Sequence, residues 1–384
     1  MAEIYLDNAA TTIPLPQVID KMVNVLQNTY GNPSSLHKKG LEAERIIKES
    51  SEFFAKQLGC TKEEIIYTSG GTESNNLAIL GVASAYARTG KKIITTTIEH
   101  ASVKMAFKFL EQQGYEVHYL PVNKEGYIDI SELENLIDEQ TILVSIMFVN
   151  NEIGTINDIY KIGNIIKQKN PKTVFHVDAI QSFGKIPFSV RQLKIDLLSI
   201  SGHKFYAPKG VGVLYKNKTV KLHSLVHGGG QQNAIRSGTE NVAGIAAMHE
   251  AAKAVFANLS QDIEHYNELK TYFANKVLTE IEGTRLNGPA LESSAPHIVN
   301  IAFSGVKAEV LLHALEAYGI YVSSGSACSS HKADKQYILG ALGYENEDTD
   351  NAIRFSFGKQ NTIAELDEAI EVLKKQIVML RRLK

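Results

Sequence analysis

Three short stretches carry residue types that can act together on one ligand. Ser69-Gly70-Gly71-Thr72 lies between an apolar run and a helix-like stretch. Paired glycines let the main chain approach a ligand closely, and the unpaired N–H groups of a helix start make an anion site. Alone, the same four residues also fit an ordinary strand-to-helix turn. They match neither a Walker A loop nor G-x-G-x-x-G. Asp178 ends the run Phe175-His176-Val177. Strand ends line the ligand crevice of an open α/β sheet, so a carboxylate there can pair with a cationic ring nitrogen, or simply cap a helix. Lys204 follows Ser199-Ile200-Ser201-Gly202-His203. A lysine desolvated at a strand end has a lowered pKa and can attack a carbonyl carbon, although an isolated lysine is more often a solvated surface residue. Lys209, in the same loop, lacks the strand-end position and reads as structural.

An anion cradle, a strand-end carboxylate and a strand-end amine are together what pyridoxal 5'-phosphate requires. The phosphate is anchored, the carboxylate keeps the ring nitrogen protonated, and the amine takes the aldehyde carbon. His100, between a strand-like run and a helix-like one, can lie over such a ring and exchange protons, or can cap the helix. Cys328 sits in Ser323-Ser324-Gly325-Ser326-Ala327-Cys328-Ser329-Ser330, a composition expected of an exposed loop that presents a thiolate, though a chance exposed cysteine fits too. Cys60, after Leu58-Gly59, reads as inert, and the remaining histidines mostly as surface or packing residues.

The elements that must hold these groups alternate. Strands are expected at 65–68, 92–98, 142–149, 173–177, 196–200 and 211–215, with helices near 41–58, 73–88 and 101–113. Such alternation predicts an α/β domain with a mostly parallel sheet. Beyond residue 240 the pattern changes: almost continuous helix over 241–281, strands at 298–303, 321–324 and 352–357, and helices at 308–318 and 363–383. This predicts a smaller α+β domain. The expected division is 14–255 for the large domain, with 1–13 and 256–384 forming the small one that carries the cysteine loop.

Composition narrows the partners. The chain has 384 residues, 44% apolar and 21% charged, as in globular proteins. Forty basic against 42 acidic residues leave a net charge of −2 and no basic arm, so direct nucleic-acid binding is not expected. Only two cysteines, with no Cys-x-x-Cys and no His-Glu-x-x-His, argue against zinc or any other metal site. The same scarcity and the absence of a signal-like N-terminus give an expected cytoplasmic location, and no run approaches the ~20 apolar residues of a membrane helix.

The motifs also resemble, in order and over nearly the whole chain, the NifS/IscS-type cysteine desulfurases, a branch of the class V aminotransferase-like, fold-type I pyridoxal-phosphate enzymes. The strings are YLDNAATT (5–12), YGNPSSLH (30–37), TSGGTESNN (68–76), IEHASV (98–103), VNNEIGTI (149–156), HVDAIQSFGK (176–185), SGHKFYAPKG (201–210), RSGTEN (236–241), SSGSACSS (323–330) and IRFSFG (353–358). The resemblance implies a sulfurtransferase that converts L-cysteine to L-alanine and keeps the sulfur as a persulfide on Cys328. It implies Lys204 as the Schiff-base lysine, Asp178 on the ring nitrogen, Gln181 on the ring oxygen and His100 stacked on the ring as a proton carrier. Thr72, Ser201, His203 and the Gly71–Thr72 main chain would hold the phosphate. Thr239 would reach the cofactor of the other subunit of a homodimer. Asn151 and Arg354 would take the substrate carboxylate, Arg354 as a bidentate fork.

Two features depart from the resemblance. Lys359 stands where the family often has arginine, with a small effect expected. The chain stops at Lys384, right after its last helical stretch, whereas housekeeping members carry a further tail that engages an iron–sulfur scaffold. The expected acceptor protein is therefore a dedicated one, such as a tRNA-thiolation enzyme, with iron–sulfur cluster assembly as the other destination. The rival readings are a selenocysteine lyase or an aminotransferase on the same scaffold, and a non-catalytic binding platform. An aminotransferase has no use for Cys328, and a platform has none for the set Lys204, Asp178, His100, Arg354 and Cys328.

Overall fold

The apolar runs become strands because both of their faces are covered. The computed structural model describes residues 3–324, 337–344 and 349–382. A short strand, β1 (Ile4–Tyr5), opens the chain. The helices α1 (Pro16–Asn28) and α2 (Lys38–Leu58) follow, α2 capped by the His37 ring and closed by Gly59 at φ 73°.

The main sheet has seven strands, named in chain order as β2 (Ile65–Thr68), β3 (Lys92–Thr96), β4 (Glu116–Leu120), β5 (Thr141–Met147), β6 (Val174–Asp178), β7 (Leu197–Ser201) and β8 (Gly212–Lys216). Their spatial order is β2-β8-β7-β6-β5-β3-β4. β8 runs antiparallel to both neighbours and the remaining pairs are parallel. β5, β6 and β7 are buried along their whole length, as parallel strands covered on both sides must be. One face carries a core of Phe54, Phe175, Phe183 and Phe205. The other packs against α3 (Gly71–Tyr86) and α4 (Ala101–Gln112) through Ile79, Val82 and Phe107. Two shorter helices, α5 (Ile130–Leu136) and α6 (Ile159–Lys169), pack on the first face through Leu133, Ile159 and Ile162.

The helical stretch expected over 241–281 is two helices, α7 (Val242–Ala257) and α8 (Leu259–Glu280), because Asn258 at φ −128°, ψ 22° leaves the helical region. Beyond them β9 (Thr284–Asn287), β10 (Ile298–Phe303), β12 (Ser323–Ser324) and β13 (Ala352–Ser356) form an antiparallel sheet ordered β12-β13-β10-β9. The strand expected at 321–324 is divided: β11 (Ile320–Tyr321) pairs with β1, and only then does β12 join β13. Helices α8, α9 (Ala308–Glu316) and α11 (Ile363–Arg382) cover this sheet with Phe273, Leu311 and Ile370, while the short α10 (Tyr337–Ala341) packs Leu339 against Ile98 and Met147. Ile4 and Leu6 belong to this second core although they open the chain. Lys359 answers its own departure: it pairs with Asp262 and donates its main-chain N–H to the Tyr206 hydroxyl at 2.9 Å, tying the small sheet to α8 and the main sheet.

Candidate active site

The C-terminal ends of β6 and β7 deliver the two groups that sequence reading placed first. Lys204 closes a single 3₁₀ turn, Gly202–Lys204, directly after β7. Its amine donates to the carbonyls of Ala9 and Ala10, each at 2.7 Å. Those carbonyls are held in turn: Thr12 N–H and Thr12 Oγ1 both donate to His203 O, and Ala9 N–H donates to Ser356 Oγ. The opening segment is thus a seat for the Lys204 amine.

Asp178 ends β6 and is 4% exposed. Its carboxylate accepts from Asn75 Nδ2 at 2.8 Å and from the Ile180 N–H at 3.0 Å. Burial pushes its pKa up, against those donors and the charges of His100 and Lys204. A carboxylate raised by burial gains most from a cation placed beside it. His100 caps α4: its Nδ1 accepts the Ser102 N–H at 3.2 Å and meets Ser102 Oγ at 2.8 Å. Nδ1 is therefore the bare nitrogen and Nε2 carries the proton. Burial holds the ring below the usual histidine range, so it is a neutral donor at pH 7 rather than a group titrating there, as the sequence suggested. Asn75 also donates to Ser102 Oγ at 2.9 Å, so one amide links Asp178 to the His100 cap. It lies inside the TSGGTESNN string but no role was read for it.

The glycine turn behaves as a cradle. Gly70 sits at φ 151°, outside the range of ordinary side chains, and Gly71 is the first residue of α3. A Cβ on Gly71 would lie 2.2 Å from Ile180 Cδ1, so the main chain there is as close to the cavity wall as it can be. Ser201 and His203 stand opposite, and burial with the neighbouring Lys204 charge takes His203 to about 4, leaving it neutral.

Gly71, Thr72, His100, Asn151, Asp178, Gln181, Ser201, His203, Lys204 and Arg354 line one cavity of about 160 Å³ together with Ala9, Ala10, Ser102, Met147, Val149 and Ile180. Two expected residues are not among them. Thr239 is exposed and borders a separate cavity with Ser69, Gln232 and Arg236. Cys328 lies outside the described residues, though Ser323, at the start of the strand leading to it, is paired in register with Arg354.

Arg354 differs from its expected form as an open fork. It is buried, and Nη1 donates to Glu152 Oε1 at 2.9 Å and to Asn151 O at 2.8 Å, while Nη2 donates to Asp7 Oδ1 at 2.9 Å. Asn151 Nδ2 donates to the same Glu152 oxygen at 2.8 Å. Burial raises Glu152 above the usual carboxylate range, Arg354 opposes that and Asp7 adds to it. Asp7 and Glu152 were both inside recognised strings, but their charge relation to Arg354 spans 347 and 202 residues, which no local pattern reports. Lys185 and His297 were also missed. Lys185, 3% exposed, donates to Lys204 O at 2.7 Å, and His297, fully buried, contacts Gln181. His176, by contrast, is a packing histidine, with both ring nitrogens met by Ser145 and Ser199. Burial and Glu64 push Cys60 up to about 12, as an inert thiol requires. Among the described residues no group of three metal-ligating side chains occurs.

With the geometry in view, the chain can be compared with known proteins. The family model described as aminotransferase class-V matches residues 4–369. The chain belongs to the class-V aminotransferase family. Relatives include the cysteine desulfurase IscS of Dictyoglomus turgidum, 45% identical over 379 residues that cover 99% of this chain and 95% of that one. The cysteine desulfurase IscS of Methanosarcina thermophila is 42% identical, covering 99% and 93%. Among solved structures, a NifS-like protein superposes with TM-score 0.93 at 38% identity, covering 98% of this chain and all of that one. The NifS-like protein of Rickettsia africae gives 0.88 at 30% identity with the same coverage. The mostly parallel sheet and the C-terminal antiparallel one are thus those of class-V NifS-like proteins.

Proposed function

We propose that the chain is a cysteine desulfurase that uses pyridoxal 5'-phosphate to convert L-cysteine into L-alanine and keeps the sulfur as a persulfide on Cys328. The observation that carries this reading is the meeting around one cavity of a strand-end amine, a buried carboxylate and a glycine-opened helix start. The donor set fits the cofactor. Asp178 is a buried anion that gains from a protonated ring nitrogen, and Gly71 leaves main-chain N–H groups bare where a phosphate needs them. When bound, pyridoxal phosphate supplies an electron sink for charge developing on the substrate carbons.

The residues divide the remaining work. Lys204 would hold the aldehyde carbon and supply the base for the substrate Cα proton, its carbonyl seats on Ala9 and Ala10 giving the amine a defined resting place. Asp178 would keep the ring nitrogen protonated, Gln181 would donate to the ring oxygen, and His100 would offer its Nε2–H to the ring. Thr72, Ser201 and His203, which line the same cavity, would hold the phosphate. Arg354 and Asn151 bind the substrate carboxylate, which must share the guanidinium with Asp7 and Glu152. The Cys328 thiolate attacks the substrate sulfur: an S–S bond forms, the Cβ–S bond breaks, and Cβ takes a proton to give alanine. Sulfur is oxidised and Cβ reduced by the same electron pair, so no outside oxidant enters. Cys328 is the fourth residue after Ser324, and at ~3.5 Å per residue four steps span at most roughly 14 Å.

The persulfide passes to an acceptor protein, either an iron–sulfur scaffold or a tRNA- or cofactor-thiolation enzyme, and the protein works in the cytoplasm as a homodimer. Support for the dimer is an exposed apolar row, Ile13, Ile19, Val23, Leu26 and Tyr30, along α1 and its flanks. Among the described residues no helix is long and apolar enough to cross a membrane. Intact-protein mass spectrometry after addition of L-cysteine tests the reaction. We expect a gain of one sulfur on the Cys328 peptide with release of alanine, and a coloured but inactive Cys328→Ala variant. A colourless protein that takes up no pyridoxal phosphate, or alanine formation that survives Lys204→Ala, would overturn the proposal.

A further inference from the structure

His297 lies just before β10, on the small-domain side of the cavity, and is 0% exposed. Its Nε2 is 3.3 Å from Gln181 Oε1, and Gln181 Nε2 donates to Ala9 O at 2.9 Å. These contacts settle each proton. A main-chain carbonyl can only accept, so the nitrogen of the Gln181 amide must face Ala9. The amide oxygen then faces His297, and it too can only accept. His297 Nε2 must therefore carry hydrogen. Burial, reinforced by the positive charges of Lys185, Lys270, Arg354 and Lys204, keeps the ring well below the usual histidine range, so it is neutral and Nδ1 is bare. That Nδ1 has no hydrogen-bond partner among the described residues. A buried acceptor left unmet is costly, and here it accompanies a ring whose one donor is spent on Gln181.

Turning the amide over would set its oxygen against Ala9 O and its N–H groups against the His297 N–H. Both contacts would be lost together. Gln181 also lines the cavity, and its second N–H is the group left to face it.

Resting on the cofactor assignment above, we propose that His297 is a positioning residue that locks the Gln181 amide so that it presents only a donor to the ring oxygen of the cofactor. The oxygen is thereby favoured in its anionic form. The same Ala9 carbonyl that seats Lys204 is the far anchor of this lock, so the amine and the amide are referenced to one main-chain atom.

The test is the pH midpoint of the visible absorbance of the full-length protein loaded with pyridoxal phosphate, compared among wild type, His297→Leu, His297→Gln, Gln181→Leu and the double variant His297→Leu/Gln181→Leu. Loss of the lock weakens stabilisation of the anionic oxygen, so His297→Leu should raise the midpoint by about 0.5–1 pH unit, a threefold to tenfold change in proton affinity. His297→Gln, which still donates to the amide oxygen, should recover most of that shift. His297→Leu should add nothing in the Gln181→Leu background. If His297→Leu does not fold, His297→Met, of similar length and without a donor, carries the same comparison. A His297→Leu midpoint equal to wild type, or an equal shift with Gln181 already removed, overturns the role of His297 while leaving the enzyme assignment intact. A wild-type protein that acquires no visible chromophore fails at the earlier step, and the lock falls with it.

Discussion

Lys185 shows how much of this site is decided by single side chains behind the ones that face the cavity. It is 3% exposed and spends its amine on the Lys204 carbonyl at 2.7 Å. Burial, followed by the charge of Lys204, takes its pKa to about 7. An unfolded lysine keeps its proton to about 10.5. Between those values the unfolded chain binds more protons than the folded one, so the stability contributed at Lys185 rises with pH from about 7 upward. The expected outcome is that thermal melts of wild type gain on those of Lys185→Met between pH 7 and 9, while the variant is relatively more stable at pH 7. Equal pH slopes for the two proteins would contradict it. At this scale the sequence was legible where a reactive residue ends an apolar run, as Asp178, Lys204 and His100 do. It was silent for Lys185 and His297, because a lysine after glycine and a histidine before a strand are ordinary in isolation. Only their burial, which depends on chain brought in from elsewhere, makes them part of the site.

At the scale of elements, the buried strands were readable because they are short continuous apolar runs between turn residues. Among the missed elements, β4 lacks that contrast. β4 is an edge strand with mixed exposure and a sequence, Glu-Val-His-Tyr-Leu, that alternates poorly. α1 carries one broad apolar stripe, of which Val18 and Val25 are buried, whereas Ile19, Val23 and Leu26 leave its other edge as an exposed outer face. The helical period is present in this stretch, so α1 was legible in principle and was passed over. The outer face also yields a prediction. If it is the dimer surface, Ile19→Glu/Val23→Glu should convert the protein to a monomer in light scattering, because two charges on each side would be desolvated opposite each other. Thr239, exposed beside its own cavity, should then lose any contribution to cofactor retention. An unchanged mass would remove α1 from the interface.

Over the whole molecule, Arg354, proposed above to take the substrate carboxylate, is where the two cores meet. Arg354 belongs to the small sheet, Asp7 to the opening segment and Glu152 to the loop after β5 of the main sheet. Removing one partner of a buried ion pair leaves charge uncompensated, at a cost of roughly 3–5 kcal/mol when burial is complete. Asp7 is partly open to solvent and Glu152 remains, so Asp7→Asn should cost about 1–3 kcal/mol in urea unfolding. It should also lower KM for L-cysteine more than it alters kcat, since the incoming carboxylate loses a competitor. A higher KM would mean that Asp7 orients the guanidinium rather than competing for it. The sequence placed all three residues in recognised strings, yet it could not show that they neutralise one another, because the charges converge only after the chain has closed on itself.

That closure bears on synthesis. β1 pairs with β11 across Ile4 and Ile320, and Asp7 bridges to Ser356, so the segment supplying the Ala9 and Ala10 carbonyls is held by residues more than three hundred positions downstream. On the ribosome the first dozen residues emerge long before the residues that grip them, the earliest of which lie near 181–206. Thr12 can meet His203, and Gln181 the Ala9 carbonyl, once the main sheet exists, but the pairings with Ile320 and Ser356 wait for the end of the chain. The seat of the Lys204 amine is therefore completed only when residues beyond 320 have been made.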